Sequence, residues 1–265
     1  MKICVIIAAA GHSSRFASAD LLAPRSKLDE DLGGRPLLQR TIELFNTDDR
    51  VASIVVAGPH DDEAFSAFKL RHGDKIALYG GVLCKGGKAH RYETVAAALE
   101  HVPADATHIA IHDAARPCTP PDLIDRVFEA AAIHPGAIPC VPVTDTLKRA
   151  GQPETVEAGH DPVAAILGQD KPNEVRFIEE TLPRENIYAA QTPQIFRAEL
   201  LKSAYAQPDL SSTDDAQLVE RLGEKVAIVE GDPRNIKVTT PADIPLARAL
   251  LGLKPPQERP THKRF

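Results

Sequence analysis

The segment IIAAAGHSSRF (6–16) runs from an apolar stretch into Ala9, Ala10 and Gly11 and closes on Arg15 and Phe16. Residues with little or no side chain, placed after a buried strand, let a ligand's phosphates approach backbone N–H groups. Ser13 or Ser14 could cap a following helical turn, whose amino end attracts anions, and Arg15 adds a full positive charge. The segment has neither the G-K-[ST] ending of a P-loop nor a G-x-G-x-x-G fingerprint, so by itself it leaves an ordinary strand-to-loop turn open. Lys27 lies six residues before Gly33-Gly34 in SKLDEDLGGRPLL (26–38), and Asp113 and Arg116 stand at the end of an apolar run in IHDAARP (111–117). QTPQIF (191–196) carries Thr192, STDDA (212–216) follows, and NIKVTTPADI (235–244) carries Lys237. Singly, Lys27, Arg184 and Lys237 read as surface cations, Asp113 as a cap, and Thr213 as part of a helix start.

Strands must end near these residues to position them. KICVIIA (2–8), ASIVVAG (52–58), KIALYG (75–80), HIAIHD (108–113), AIPCVPV (137–143) and KVAIVEG (225–231) read as such strands. PLLQRTIELF (36–45) puts Leu38, Ile42 and Phe45 on one helical face behind Pro36, and YETVAAALEHV (92–102), PDLIDRVFEAAAI (121–133) and ADIPLARALLGL (242–253) repeat the pattern. The alternation predicts an α/β fold with a doubly wound, mostly parallel sheet, in which ligands bind beyond the carboxyl ends of the strands. The stretch between Ala150 and Glu174, flanked by the extended TDTLKRA (144–150) and EVRFIEETL (174–182), reads as a β-rich arm or a linker. One domain is expected over 1–253, including the arm at about 144–190, with 254–265 a flexible tail.

Composition narrows the function. A net charge of −6 argues against a nucleic-acid or anionic-membrane binder, so an anionic ligand would need a local positive cluster. No stretch approaches the ~18 apolar residues of a membrane span, and MKICVIIAAAGHSS has too little basic flank for a signal peptide, so a cytoplasmic location is expected. Cys4, Cys84, Cys118 and Cys140 show no C-x-x-C spacing and are expected to be reduced and packed as small apolar residues.

In this order, DAARP, TPQIF, TDDA and NIKVTTPAD resemble the signature of the 2-C-methyl-D-erythritol 4-phosphate cytidylyltransferases of the non-mevalonate isoprenoid pathway, with the likeness spanning residues 2 to about 250. The resemblance implies a Rossmann-like nucleotidyltransferase with a protruding β-arm, joining CTP to methylerythritol phosphate with magnesium and releasing pyrophosphate. It implies that Ala9, Ala10, Gly11 and Arg15 cradle the triphosphate, that Arg15, Lys27 and Lys237 are catalytic, and that Asp113 binds magnesium. Gly87 and Thr94 of GGKAHRYETV (86–95) match contacts to the cytosine and its ribose. Arg116, Thr146, Arg184 and Thr192 match positions that hold the sugar phosphate. A homodimer is implied too, each arm bringing Thr146 and Arg184 to the partner's site. His112 is expected to be structural, because magnesium prefers oxygen ligands. The chain departs from the family pattern in having Ser13 for a second glycine, Ser26 for the proline before the lysine, a longer Arg15 to Lys27 segment, and one extra residue between Gly87 and Arg91. The alternative readings are a cytidylyltransferase for another polyol phosphate, such as ribitol 5-phosphate, and a non-catalytic nucleotide-binding relative.

Overall fold

β1 (Ile3–Ala8) is apolar at every position because both of its faces are covered. In the computed structural model, which describes residues 1–11, 16, 26–156 and 173–254, it lies in the interior of a sheet. It pairs in parallel with β2 (Val51–Gly58) on one side and β4 (His108–Asp113) on the other. β3 (Val82–Lys85) extends the sheet in parallel beyond β2. Past β4, β11 (Gln194–Arg197) runs antiparallel between β4 and β5 (Gly136–Pro142), and β12 (Ala227–Glu230) lies parallel to β5. The expected mostly parallel α/β sheet is thus present, with β11, part of the QTPQIF motif, as a reversed strand within it.

Helices cover both faces. Ile3, Val5 and Ile7 face a core built with α1 (Leu37–Asn46), α2 (Asp62–Leu78), α4 (Pro121–Ile133) and α7 (Asp243–Leu250). Cys4 and Ile6 face the other core, with α3 (Arg91–Leu99), α5 (Ala198–Tyr205) and α6 (Asp215–Glu220). Each fully buried Leu, Ile or Phe contributes about 1.5–3 kcal/mol by leaving water. The four cysteines are free and buried, and burial pushes the Cys84, Cys118 and Cys140 thiols up to about 11. Among the described residues no helix is long and apolar enough to cross a membrane.

One expected strand is corrected. KIALYG (75–80) falls at the carboxyl end of α2, and the strand forms at Val82–Lys85 instead. Asp61 starts this helix by accepting from the Ala64 N–H at 2.9 Å. Nothing breaks the helix before Gly80, whose φ of 67° ends it while Gly80 and Gly81 donate to Ala77 and Ile76.

The chain divides into two units, Met1–Val141 with Ala190–Phe265, and Pro142–Ala189. The smaller one pairs β6 (Leu147–Ala150) antiparallel with β9 (Ile178–Leu182), and β7 (Glu154–Val156) antiparallel with β8 (Asn173–Val175). β10 (Tyr188–Ala190) follows at the boundary. Arg149 and Glu180 form a cross-strand ion pair at 3.3 Å, and Phe177 and Ile178 are exposed. Much of the excursion between Ala150 and Glu174, and the tail beyond residue 254, lie outside the described residues.

Candidate active site

β1 and β4 end side by side, Ala8 opposite Asp113, and a cavity of about 210 Å³ opens beyond them. Ala9, Ala10, Gly11, Lys27, Gly87, Thr94, Asp113 and Lys237 all line it. The carboxyl-end position is where a doubly wound sheet binds its ligands. Residues drawn from both ends of the chain therefore meet at one place. Arg15 lies outside the described residues.

The Gly86-Gly87 pair is required by close approach. A Cβ on Gly87 would stand 2.2 Å from that of Glu93, and one on Gly86 would stand 2.7 Å from both Ala10 Cβ and the Gly58 carbonyl. Thr94 Oγ1 accepts from the Gly87 N–H at 3.1 Å, and the Glu93 carboxylate accepts from the Ala89 and His90 N–H groups at the start of α3. Thr94 thereby shapes the loop that carries Gly87.

Asp113 is the electrostatic hub. Its Oδ2 meets Lys237 Nζ at 2.9 Å and Arg116 Nε at 3.4 Å, while Oδ1 meets Arg91 Nε at 3.3 Å. Burial alone would raise this carboxyl, but Arg91, Lys237 and Arg116 more than reverse the effect and hold it well below the usual carboxylate range. Arg91 also reaches the fully buried Asp215 at 2.6 Å, where the Tyr205 hydroxyl donates to the other oxygen at 2.6 Å. Lys27, on a 3-10 turn (Lys27–Asp29), donates from Nζ to the Val238 carbonyl at 3.1 Å.

Arg116 and Thr192 touch Asp113 without lining the cavity. Thr192 Oγ1 accepts from the Asp113 N–H at 3.1 Å and lies 3.1 Å from His112 Nδ1, leaving its proton for the ring. His112 Nε2 donates to the Arg116 carbonyl at 3.2 Å. Both ring nitrogens are engaged within the fold, and burial holds the imidazole down to about 4, which keeps it neutral at about pH 7. In the smaller unit, Arg184 donates to the Thr144 carbonyl and Thr146 is exposed.

The motif segments are also tied to one another. Asn235 is fully buried; its Nδ2 donates to the Thr192 carbonyl at 2.9 Å, its Oδ1 accepts from Thr119 at 2.8 Å, and its carbonyl accepts from Arg116 at 2.6 Å. Gln194 donates to Asp214, the residue that caps α6, at 2.9 Å. Residues 3–253 match the family model for 2-C-methyl-D-erythritol 4-phosphate cytidylyltransferase. The chain belongs to this family.

Similar relatives carry the same name. A 2-C-methyl-D-erythritol 4-phosphate cytidylyltransferase of Frankia casuarinae is 39% identical over 95% of this chain and 82% of its own length. Another, of Rhodococcus jostii, is 38% identical over 94% and 95%. A crystal structure of the enzyme from Thermus thermophilus superposes with a TM-score of 0.66 at 32% identity, covering 96% of this chain and all of that one.

Sequence reasoning missed three residues tied into this candidate site: Arg91, Asp215 and Asn235. A charge in the apolar stretch of α6, beside the buried Ala216, Leu218 and Val219, is the signal that could have flagged Asp215. Arg91 carries no comparable local mark, since an arginine at the first turn of a helix reads as a surface residue.

Proposed function

We propose that this chain transfers the cytidylyl group of CTP to 2-C-methyl-D-erythritol 4-phosphate, giving 4-diphosphocytidyl-2-C-methyl-D-erythritol and pyrophosphate. The observation that carries the reading is the meeting of Lys27, Lys237 and Asp113 with the Ala9–Gly11 turn around one cavity. The attacking phosphate monoester, with a second pKa near ~6, is largely dianionic at neutral pH and needs no general base. The obstacle is charge: two unit charges ~4 Å apart repel by roughly 4 kcal/mol at an effective dielectric of about 20. Lys27, Lys237 and Arg15 neutralise that charge and take up what develops in the transition state. Gly87 and Thr94 hold the cytidine, and Arg116, Thr146, Arg184 and Thr192 hold the sugar phosphate.

Magnesium belongs to the same reading. Among the described residues no group of three or more His, Cys, Asp and Glu is placed to hold a metal. A single carboxylate suffices for this ion, which keeps waters and takes phosphate oxygens as further ligands. Asp113, on the cavity wall and held ionised by its three cations, fits as that ligand. When bound, the ion supplies further neutralisation of phosphate charge.

The reading includes a cytoplasmic homodimer joined through the smaller unit, with Thr146 and Arg184 serving the partner's site. Exposed Val175, Phe177, Ile178 and Ile187 on that unit support an interface there. The test is pyrophosphate release from CTP with methylerythritol phosphate and magnesium, each omitted in turn. Comparable turnover with ribitol 5-phosphate, or equal use of ATP and GTP, would overturn the substrate assignment.

A further inference from the structure

The turn that carries Lys27 is only three residues long, and α2 holds its far end. Asp29 Oδ1 accepts from His72 Nε2 at 2.7 Å. Arg71 Nε reaches the other oxygen at 3.4 Å, but that arginine is half exposed and its pair is worth little. His72 is 3% exposed, and its ring is tilted against Phe68 with centroids 4.7 Å apart. A hydrogen bond from a buried donor to a carboxylate is among the stronger ones a fold makes. Leu28, between Lys27 and Asp29, sits in the core. Neither His72 nor Asp29 lines the cavity, so neither meets what the Lys27 ammonium meets.

From this geometry we infer that His72 is a positioning residue, which fixes the turn through Asp29 and so sets where the Lys27 ammonium stands beside the Val238 carbonyl. The inference rests on Lys27 acting at the reacting phosphates, as in the proposed function. A lysine side chain is long and flexible, so the place of its charge depends on how firmly its backbone is held. A misplacement of about 1 Å at a reacting centre costs on the order of 10²-fold in rate, which gives a remote hydrogen bond its leverage.

His72→Phe keeps a ring against Phe68 and removes the donor, whereas His72→Gln restores an N–H for Asp29. The Phe variant is expected to lower kcat about 10-fold while KM for both substrates stays within about 2-fold, and the Gln variant to return to within about 3-fold of wild type. Added to Lys27→Ala, the Phe substitution is expected to cause no further loss in single-turnover rate, because its effect passes through the lysine. Should His72→Phe not fold, Asp29→Ala removes the acceptor from the solvent side and carries the same expectations. A folded His72→Phe or Asp29→Ala enzyme with wild-type kcat overturns the inference, as does an equal loss with and without Lys27. Wild-type activity in Lys27→Ala alone is a separate result, which removes the lysine's assigned role and the inference with it.

Discussion

Lys27 Nζ donates to the carbonyl oxygen of Val238 at 3.1 Å, although 211 positions separate the two residues. Val238 adjoins Lys237, whose ammonium meets Asp113 at 2.9 Å, and its own N–H donates to the Ala115 carbonyl at 2.8 Å. The two lysines are therefore registered against each other through main chain, and both against the end of β4.

Lys27→Ala is expected to lower kcat by at least ~10²-fold while the protein stays folded, because buried Leu28 anchors the turn and the lysine adds charge to the cavity. Pyrophosphate release measured beside a thermal melt checks this. Turnover near wild type would take Lys27 out of the catalytic set.

Arg91 serves Asp113 through Nε and Asp215 through Nη1, and a lysine has one nitrogen in place of these two separated ones. Arg91→Lys is expected to leave one carboxylate short of its partner, lowering stability by about 3 kcal/mol. Urea unfolding is the measurement, and an unchanged midpoint would show that the bridge is dispensable.

The His112 ring takes up a proton less readily in the folded protein, at about 4, than its ordinary value of 6.5. Burial is the main cause; the Arg116 carbonyl and Asp113 oppose it. Its contribution to stability is therefore complete above about pH 6.5 and drains away as pH falls toward about 4, by roughly 3 kcal/mol over the window. Asp113, held low, keeps its contribution through that range. Urea unfolding between about pH 7 and pH 5 should show the decline, and His112→Gln should flatten it. Equal slopes would place the titration elsewhere.

If each arm serves the partner's site, inactive Lys27→Ala and Arg184→Ala dimers mixed under exchanging conditions should regain activity. One site of each heterodimer would then hold both residues intact, up to about a quarter of wild type for random 1:1 mixing. No recovery despite confirmed heterodimers would sink the shared site.

Much of the sheet is legible because its central strands are covered on both faces: β1 reads as an unbroken apolar run leading to Ala9–Gly11, and β4 carries apolar Ile109, Ala110 and Ile111 ahead of Asp113. α2 is not, since its apolar residues do not fall on one stripe: Phe68 and Ile76 are buried while Leu70 and Leu78 point to solvent. That mixed pattern is why its last turn passes for a strand. Lys27, Asp113 and Lys237 can be singled out by motif, but their support cannot. Arg91 and Asp215 are 124 positions apart, and Asp29 and His72 are 43 apart, so only the folded chain reveals which polar group needs which.

The place of β1 also bears on how the protein is made. It leaves the ribosome before both of its neighbours: Ile3 pairs with Val51 on one edge and with His108 on the other. Until His108 has been synthesised, a strand rich in Ile and Val keeps an open edge, a template for pairing with other nascent chains. Slower growth or added chaperone should therefore raise the soluble yield more than any change near the carboxyl terminus.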